Sequence, residues 1–238
     1  MFTSSVEESF FKDSPYSIKN ARIPFITVNN FPDLGLLSAL RFLEWVSENP
    51  EGVISLPTGK TPEYFIKWVQ RILHKWDKKE IQLICNENGL NVKKKPNMKG
   101  LKFVQIDEFY PINPDQHNSF FNYVMNYYID GFGLEQDRAC LINCNEIPRD
   151  TVTDLSEIFP DYNVDLTLRF RDPESKLEEM QQRTIHLVDQ WCSEYEDSIR
   201  DMGGIGFFLG GIGPDGHIAF NIRGSDHHSA TRLMETNF

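Results

Sequence analysis

The sequence has no basic surplus, no paired-cysteine motif and no long apolar run, and each absence removes a class of function. Its formal net charge is −11, whereas a nucleic-acid backbone calls for a basic footprint. The one basic run, Lys93-Lys94-Lys95, stands beside Pro96 and Asn97 and reads as a solvated loop. No nucleic-acid partner is expected. The four cysteines, Cys85, Cys140, Cys144 and Cys192, form no CxxC pair, which argues against zinc and suits a reducing compartment. No apolar stretch approaches the length of a membrane span. Met1 to Asp13 lacks the basic-then-apolar order of a signal peptide. A cytoplasmic protein with no membrane partner is the expectation. Internal repeats and long low-complexity segments are also lacking.

What is present is ordinary globular material rich in rings. Hydrophobic residues make up 40% of the 238, and 18 Phe, 8 Tyr and 4 Trp exclude a disordered chain. Short apolar runs at Phe25–Val28, Gly52–Leu56, Leu101–Ile106 and Ile205–Leu209 predict strands. Helical spacing predicts helices over Leu34–Val46, capped by Asp33, and after Pro62, over Ser119–Ile129 and over Glu174–Ile199. Ile81–Lys99 is polar and reads as a connection. Arg149–Pro173, with two prolines, reads as an insertion within a single domain. Strand, turn and helix recur in that order. This predicts a three-layer, Rossmann-like α/β domain, its mainly parallel sheet covered by helices on both faces.

In such sheets ligands bind beyond the carboxyl ends of the strands, and three polar clusters follow predicted strands. The first is Thr58-Gly59-Lys60-Thr61-Pro62. A glycine turn opening a helix offers backbone N–H groups and the positive end of the helix dipole, which suits a phosphate. It is not a P-loop, because position 54 is Ile54 where that motif needs glycine. Its plain alternative is a strand-to-helix turn with no ligand. The second is Asp107-Glu108. Adjacent residues at a strand end point to opposite sides, so one carboxylate can face a site while the other holds the loop or caps a helix. A carboxylate with a pKa near working pH could move a proton between C1 and C2 of a phosphosugar; the plain alternative is a solvated or structural pair. The third is the glycine-rich loop Gly210–Gly216, running into His217-Ile218-Ala219-Phe220-Asn221. Asp215 and His217 are spaced to act together, the carboxylate orienting the imidazole. His227-His228 has no further ligand at helical spacing, so no metal is expected.

Together, in this order, these segments resemble the glucosamine-6-phosphate deaminase/isomerase family, which belongs to a wider group with the 6-phosphogluconolactonases. Leu56–Pro62 is similar to the family's phosphate turn, which usually has Gly or Ser where Lys60 stands. Phe103–Tyr110 resembles its Asp-Glu-aromatic segment, and His117-Asn118-Ser119-Phe120 fits the stretch after it. The ending His-Ile-Ala-Phe-Asn resembles the deaminases, whereas lactonases have His-Thr-Ala-Ser there. The resemblance runs from about Phe25 to the end of the sequence.

The resemblance implies conversion of glucosamine 6-phosphate and water into fructose 6-phosphate and ammonia, with no metal or organic cofactor and a homo-oligomeric state. Asp107 would be the base at C2, and His217, supported by Asp215, would assist ring opening. Thr58, Gly59, Lys60 and Thr61 would hold the phosphate, and Glu108, Gly211, Gly213 and Gly216 would line the substrate. Two departures stand out. The family has Glu directly after the motif's Asn, where this sequence has Ile222. The family's domain also continues beyond the equivalent of Phe238, so the sequence is expected to lack a C-terminal part. A sugar-phosphate-binding module without turnover, and a related isomerase or lactonase, are the alternatives. Ser225, Thr231 and Arg232 fall near where some family members bind an allosteric ligand.

Overall fold

A computed structural model describes residues 4–16, 20–150 and 153–236. Four short strands form one sheet, β1 (Val53–Ser55), β2 (Lys102–Val104), β3 (Ala139–Cys140) and β4 (Phe207–Phe208), in the order β3-β2-β1-β4. All pairings are parallel, with Ile54 opposite Phe103 and Phe207, and Phe103 opposite Ala139. Successive strand residues point to opposite faces, and two cores follow. Ile54 and Phe103 enter one and Val53 and Val104 the other. Strands buried on both faces require apolar residues at consecutive positions, as in the runs that the sequence predicts.

The first core packs α1 (Ser5–Lys12), α2 (Phe31–Glu48), α3 (Glu63–His74), α4 (Lys79–Glu87) and α5 (Phe120–Val124) with its wider continuation Met125–Asp130. The second packs α6 (Leu155–Ile158), a single 3₁₀ turn at Leu166–Arg169 and α7 (Lys176–Asp201). Helices on both faces of a parallel sheet give the expected three-layer α/β architecture. Among the described residues no helix is long and apolar enough to cross a membrane.

Several expectations fail locally. Phe25–Val28 has no regular secondary structure and, among the described residues, pairs with no strand. Instead the Thr27 and Ser14 hydroxyls share a hydrogen bond at 2.8 Å, and the Thr27 N–H donates to the Ser14 hydroxyl at 3.1 Å. The connection expected over Ile81–Lys99 opens with α4, whose Ile81 and Cys85 are buried one turn apart. Leu83 and Ile84 between them are apolar but not buried, and Lys79, Glu80, Asn86 and Glu87 at the ends give the short helix a polar composition. The cap of α2 is Asn30, not Asp33: its side chain accepts from the Asp33 N–H at 2.9 Å, and its amide donates back to the Asp33 carboxylate at 2.9 Å. Asp33 thus closes a reciprocal capping pair three residues in. β3 is two half-buried residues without a pattern to announce it.

The segment over 149–173, of which Thr151 and Val152 lie outside the described residues, is built into the second core. Leu155, Ile158, Phe159 and Leu168 are buried there with Ile185, Val188 and Cys192 of α7. Arg171 bridges Asp165 at 2.8 Å and Glu178 of α7 at 2.7 Å. Hydrogen bonds from Thr167 and Arg171 hold the Asp165 carboxyl down at about 2.

Helices α2 and α3 approach closely at Gly35. A Cβ there would lie 2.4 Å from the Tyr64 Cβ and 2.7 Å from the Tyr64 carbonyl carbon. A backbone atom cannot swing aside, so Gly35→Ala must push α3 away. The expected loss is about 1–3 kcal/mol, read as a lower urea midpoint with an unchanged slope.

Candidate functional site

Because the strands are parallel, the segments leaving β1, β2 and β4 emerge at one edge of the sheet. After β1 the chain turns at Gly59, whose φ of 81° a side chain disfavours. The Tyr128 hydroxyl donates to the Pro57 carbonyl and fixes the start of the turn. Pro62 precedes α3 and supplies no side-chain acceptor to its first turn. Gly59, Lys60 and Thr61 are exposed and Thr58 is half-buried. An uncapped helix start beside Lys and Thr donors has the chemistry of an anion site.

Leaving β2, the buried Gln105 acts as a bracket. Its Oε1 accepts from the Ile142 N–H at 2.9 Å and its Nε2 donates to the Asp107 carbonyl at 2.9 Å. The Tyr195 hydroxyl of α7 lies 2.8 Å from the Gln105 carbonyl and 3.0 Å from that of Cys140, donating between them. The backbone that carries Asp107 is therefore held from the sheet and from α7. Burial, with the neighbouring Glu108 charge adding to it, pushes the Asp107 carboxyl from 3.8 up to about 7.

Glu108 has a different fate. Its Oε1 accepts from the Phe109 and Phe120 N–H groups at 2.9 and 3.0 Å. Its Oε2 accepts from the Phe121 N–H at 2.7 Å and the Ser119 hydroxyl at 2.8 Å. The carboxylate expected to line the substrate is thus engaged in holding the start of α5.

The third segment is shaped around His217. A Cβ on Gly213 would fall 2.1 Å from the imidazole Cε1, so only glycine leaves room for the ring. The Gly213 N–H donates to the His217 carbonyl and the Gly216 N–H to the Gly213 carbonyl, each at 2.9 Å. Gly216 adopts a φ of 87° to close the turn. His217 Nδ1 and the Asp215 carboxylate share a short hydrogen bond, and that bond holds the Asp215 carboxyl below its usual value.

Two contacts join the three segments. A Cβ on Gly211 would lie 3.4 Å from the Thr61 methyl, so the glycine loop runs beside the turn after β1. Phe220 packs on Phe109 at 4.9 Å between centroids and stacks on Phe120 at 5.7 Å, which ties the loop's end to the Asp107-Glu108 segment and to α5. A cleft of about 790 Å³ opens at this edge, lined by Asp107 and Glu108, by Phe220 and Asn221, and by Trp191 and Thr231. The turn at 58–61, Asp215 and His217 belong to the same edge but not to the lining of that cleft. Among the described residues His227 and His228 join no group of three metal-ligating side chains.

Sequence reasoning missed Gln105 and the role of Tyr195. Tyr195 does stand on the inward stripe of α7, and a buried tyrosine needs a partner for its hydroxyl, but that partner cannot be read from spacing. Arg232, which the resemblance places near an allosteric ligand position, donates to the Asn221 side chain at 2.9 Å and binds the chain after the loop back onto it, a contact that spacing does not reveal.

No family model matches the chain. Curated relatives do. The glucosamine-6-phosphate deaminase of Bacillus pumilus (strain SAFR-032) is 24% identical over 202 residues, which cover 85% of this chain and 60% of that protein. The enzyme of the same name from Borreliella burgdorferi (strain ZS7) is 26% identical over 186 residues, 78% of this chain and 48% of its own length. The chain thus spans about half to three-fifths of these relatives. Shorter matches are higher in identity, such as 50% over 60 residues, 22% of this chain and 22% of that protein, with the glucosamine-6-phosphate deaminase of Caenorhabditis elegans. Among solved structures, a monomeric glucosamine-6-phosphate deaminase of the NagB superfamily superposes with a TM-score of 0.59 at 20% identity, covering 88% of this chain and 64% of that one. The chain is similar in sequence to glucosamine-6-phosphate deaminases and shares the fold of one of them.

Proposed function

We propose that the chain belongs to an amino-sugar-phosphate deaminase/isomerase that converts glucosamine 6-phosphate and water into fructose 6-phosphate and ammonia. The observation that carries this reading is Asp107, a carboxyl raised to about 7 in a cleft at the carboxyl end of a parallel sheet. A general base works best when its pKa lies near the operating pH. The turn at Thr58, Gly59, Lys60 and Thr61 would hold the phosphate and so orient the sugar. His217, oriented by Asp215, would move the proton that opens the ring to the aldehyde. Asp107 would take the C2 proton and return it to C1, leaving an imine at C2. Water then adds to that carbon and ammonia departs. Glu108 acts as a positioning residue, through the four bonds that hold α5. Gly211, Gly213 and Gly216 would let the loop backbone approach the substrate.

A second reading, a sugar-phosphate-binding module without turnover, is favoured by one residue. Ile222 stands half-buried where the deaminase motif places Glu, and an aliphatic side chain cannot hydrogen-bond an imidazole.

Ammonia release from glucosamine 6-phosphate separates the two. The expected outcome is release that falls by at least about 100-fold in Asp107→Asn and in His217→Ala. Thermal stabilisation by the sugar phosphate without ammonia would instead support the binding module. Gly213→Ala, which sets a methyl against the imidazole, is expected to lose turnover like His217→Ala while unfolding at a similar temperature.

The acidity of Asp107 makes two further statements. As a base it must be ionised, so kcat/KM is expected to rise with pH through about 7, measured as a pH–rate profile. The raised value also means that the folded chain binds this proton more tightly than the unfolded chain. Stability is therefore lost as pH rises from the ordinary 3.8 to about 7. Asp107→Asn, which removes the titration, is expected to match the wild type in melting temperature near pH 4. It should pull ahead as pH rises and hold a constant lead above about pH 7.

A further inference from the structure

One wall of the cleft comes from Tyr162, Asn163, Val164 and Leu166, and one of these residues fits neither a packing nor a backbone explanation. Tyr162 lines the cleft that Asp107 lines. It is 58% exposed, although the residues around it, Phe159 and Leu168, are buried. Its φ is 51°, a left-handed conformation that a bulky side chain disfavours and that Gly or Asn takes with less strain. A tyrosine here adds no core and strains its own backbone. Strain of this kind clusters at ligand sites when the surroundings enforce it.

The surroundings do enforce it. The Tyr162 N–H donates to the Phe159 carbonyl at 2.9 Å, and the Phe159 ring packs edge-on against Tyr110 at 6.0 Å. On the other side Val164 packs on the second core, and Asp165 is fixed by Thr167 and Arg171. Arg169 then grips Asp189 of α7 through two nitrogens, at 2.9 and 2.5 Å. The same guanidinium donates to the Leu233 carbonyl at 3.0 Å, so the walls formed by 162–166 and 229–236 are held by one side chain. Asn163 beside Tyr162 also lines the cleft.

We infer that Tyr162 is a substrate-binding residue, its ring forming a platform for the carbon face of the sugar in the cleft that Asp107 also lines. This rests on the sugar-phosphate reading above. The ring acts by contact area and not by proton transfer, so it contributes to binding of ground state and transition state alike, which shows in KM and leaves kcat unchanged.

The test uses the full chain with glucosamine 6-phosphate, measuring ammonia release and, in parallel, binding by calorimetry. Tyr162→Asn suits the left-handed corner and removes the ring, whereas Tyr162→Phe keeps the ring and removes the hydroxyl. The expected result for Tyr162→Asn is a KM and Kd raised roughly five- to tenfold with kcat within about twofold, and a melting temperature no lower than wild type. Tyr162→Phe should stay close to wild type in both constants. Unchanged KM and Kd in Tyr162→Asn would overturn the inference alone, as would an equal loss in Tyr162→Phe, since the hydroxyl would then be responsible. A wild-type chain that neither binds nor turns over the sugar phosphate would overturn the proposed function and this inference with it.

Discussion

The Glu108 carboxylate is the joint on which this edge of the molecule depends. Four donors converge on it, three of them backbone N–H groups, and two of those, with the Ser119 hydroxyl, come from the start of α5. A helix start leaves N–H groups unpaired, and a carboxylate there satisfies both the hydrogen bonds and the dipole. Because the acceptor belongs to the loop after β2, the same bonds fix that loop. Phe109 and Phe120, on either side of the joint, then offer the rings on which Phe220 rests. The glycine loop is thus registered against the sheet through a carboxylate it never touches.

Asp107, one residue earlier, illustrates the opposite outcome for the same chemical group. Chain direction turns its side chain away from the donors that saturate Glu108. It lies in a desolvated cleft with its neighbour's charge beside it, and both influences favour the protonated form. The pairing of a hydrogen-bonded carboxylate with a desolvated one is what the adjacent acidic residues accomplish. The bracket of Gln105 and Tyr195 keeps the desolvated one in place: the Gln105 side chain donates to the Asp107 carbonyl, and Tyr195 of α7 donates to the Gln105 carbonyl.

Much of this was legible in the sequence, and the legible part has a common cause. β1, β2 and β4 were found because strands buried on both faces carry consecutive apolar residues, and α2, α3 and α7 because a one-sided helix repeats its apolar residues with a regular period. The three polar clusters were found because each follows such a strand. What escaped is short or depends on distant partners. β3 has two residues and no period. α4 buries only Ile81 and Cys85 among charged neighbours. Phe25–Val28 has the composition of a strand, but no strand runs beside it to accept its backbone. Glu108 and Asp107 could be named as a pair with one facing the site, yet their division of labour follows from where α5 begins. Tyr162 gave no signal, because its exposure and its left-handed backbone are properties of the folded chain.

The order of the strands bears on how the chain comes into being. β1 occupies an interior position in the sheet, yet one of its two neighbours, β4, lies about 150 residues further along. During synthesis β1 can pair with β2 early, while its other edge stays open until Phe207 and Phe208 have left the ribosome. The cleft is later still, because Arg169 waits for the Leu233 carbonyl. Contacts so distant in sequence are slow to form and leave an unpaired edge in the interval. The nascent chain therefore passes through a stage in which the turn at 58–61 is already built on the first core, while the wall of the cleft formed by 162–166 and 229–236 has yet to be made.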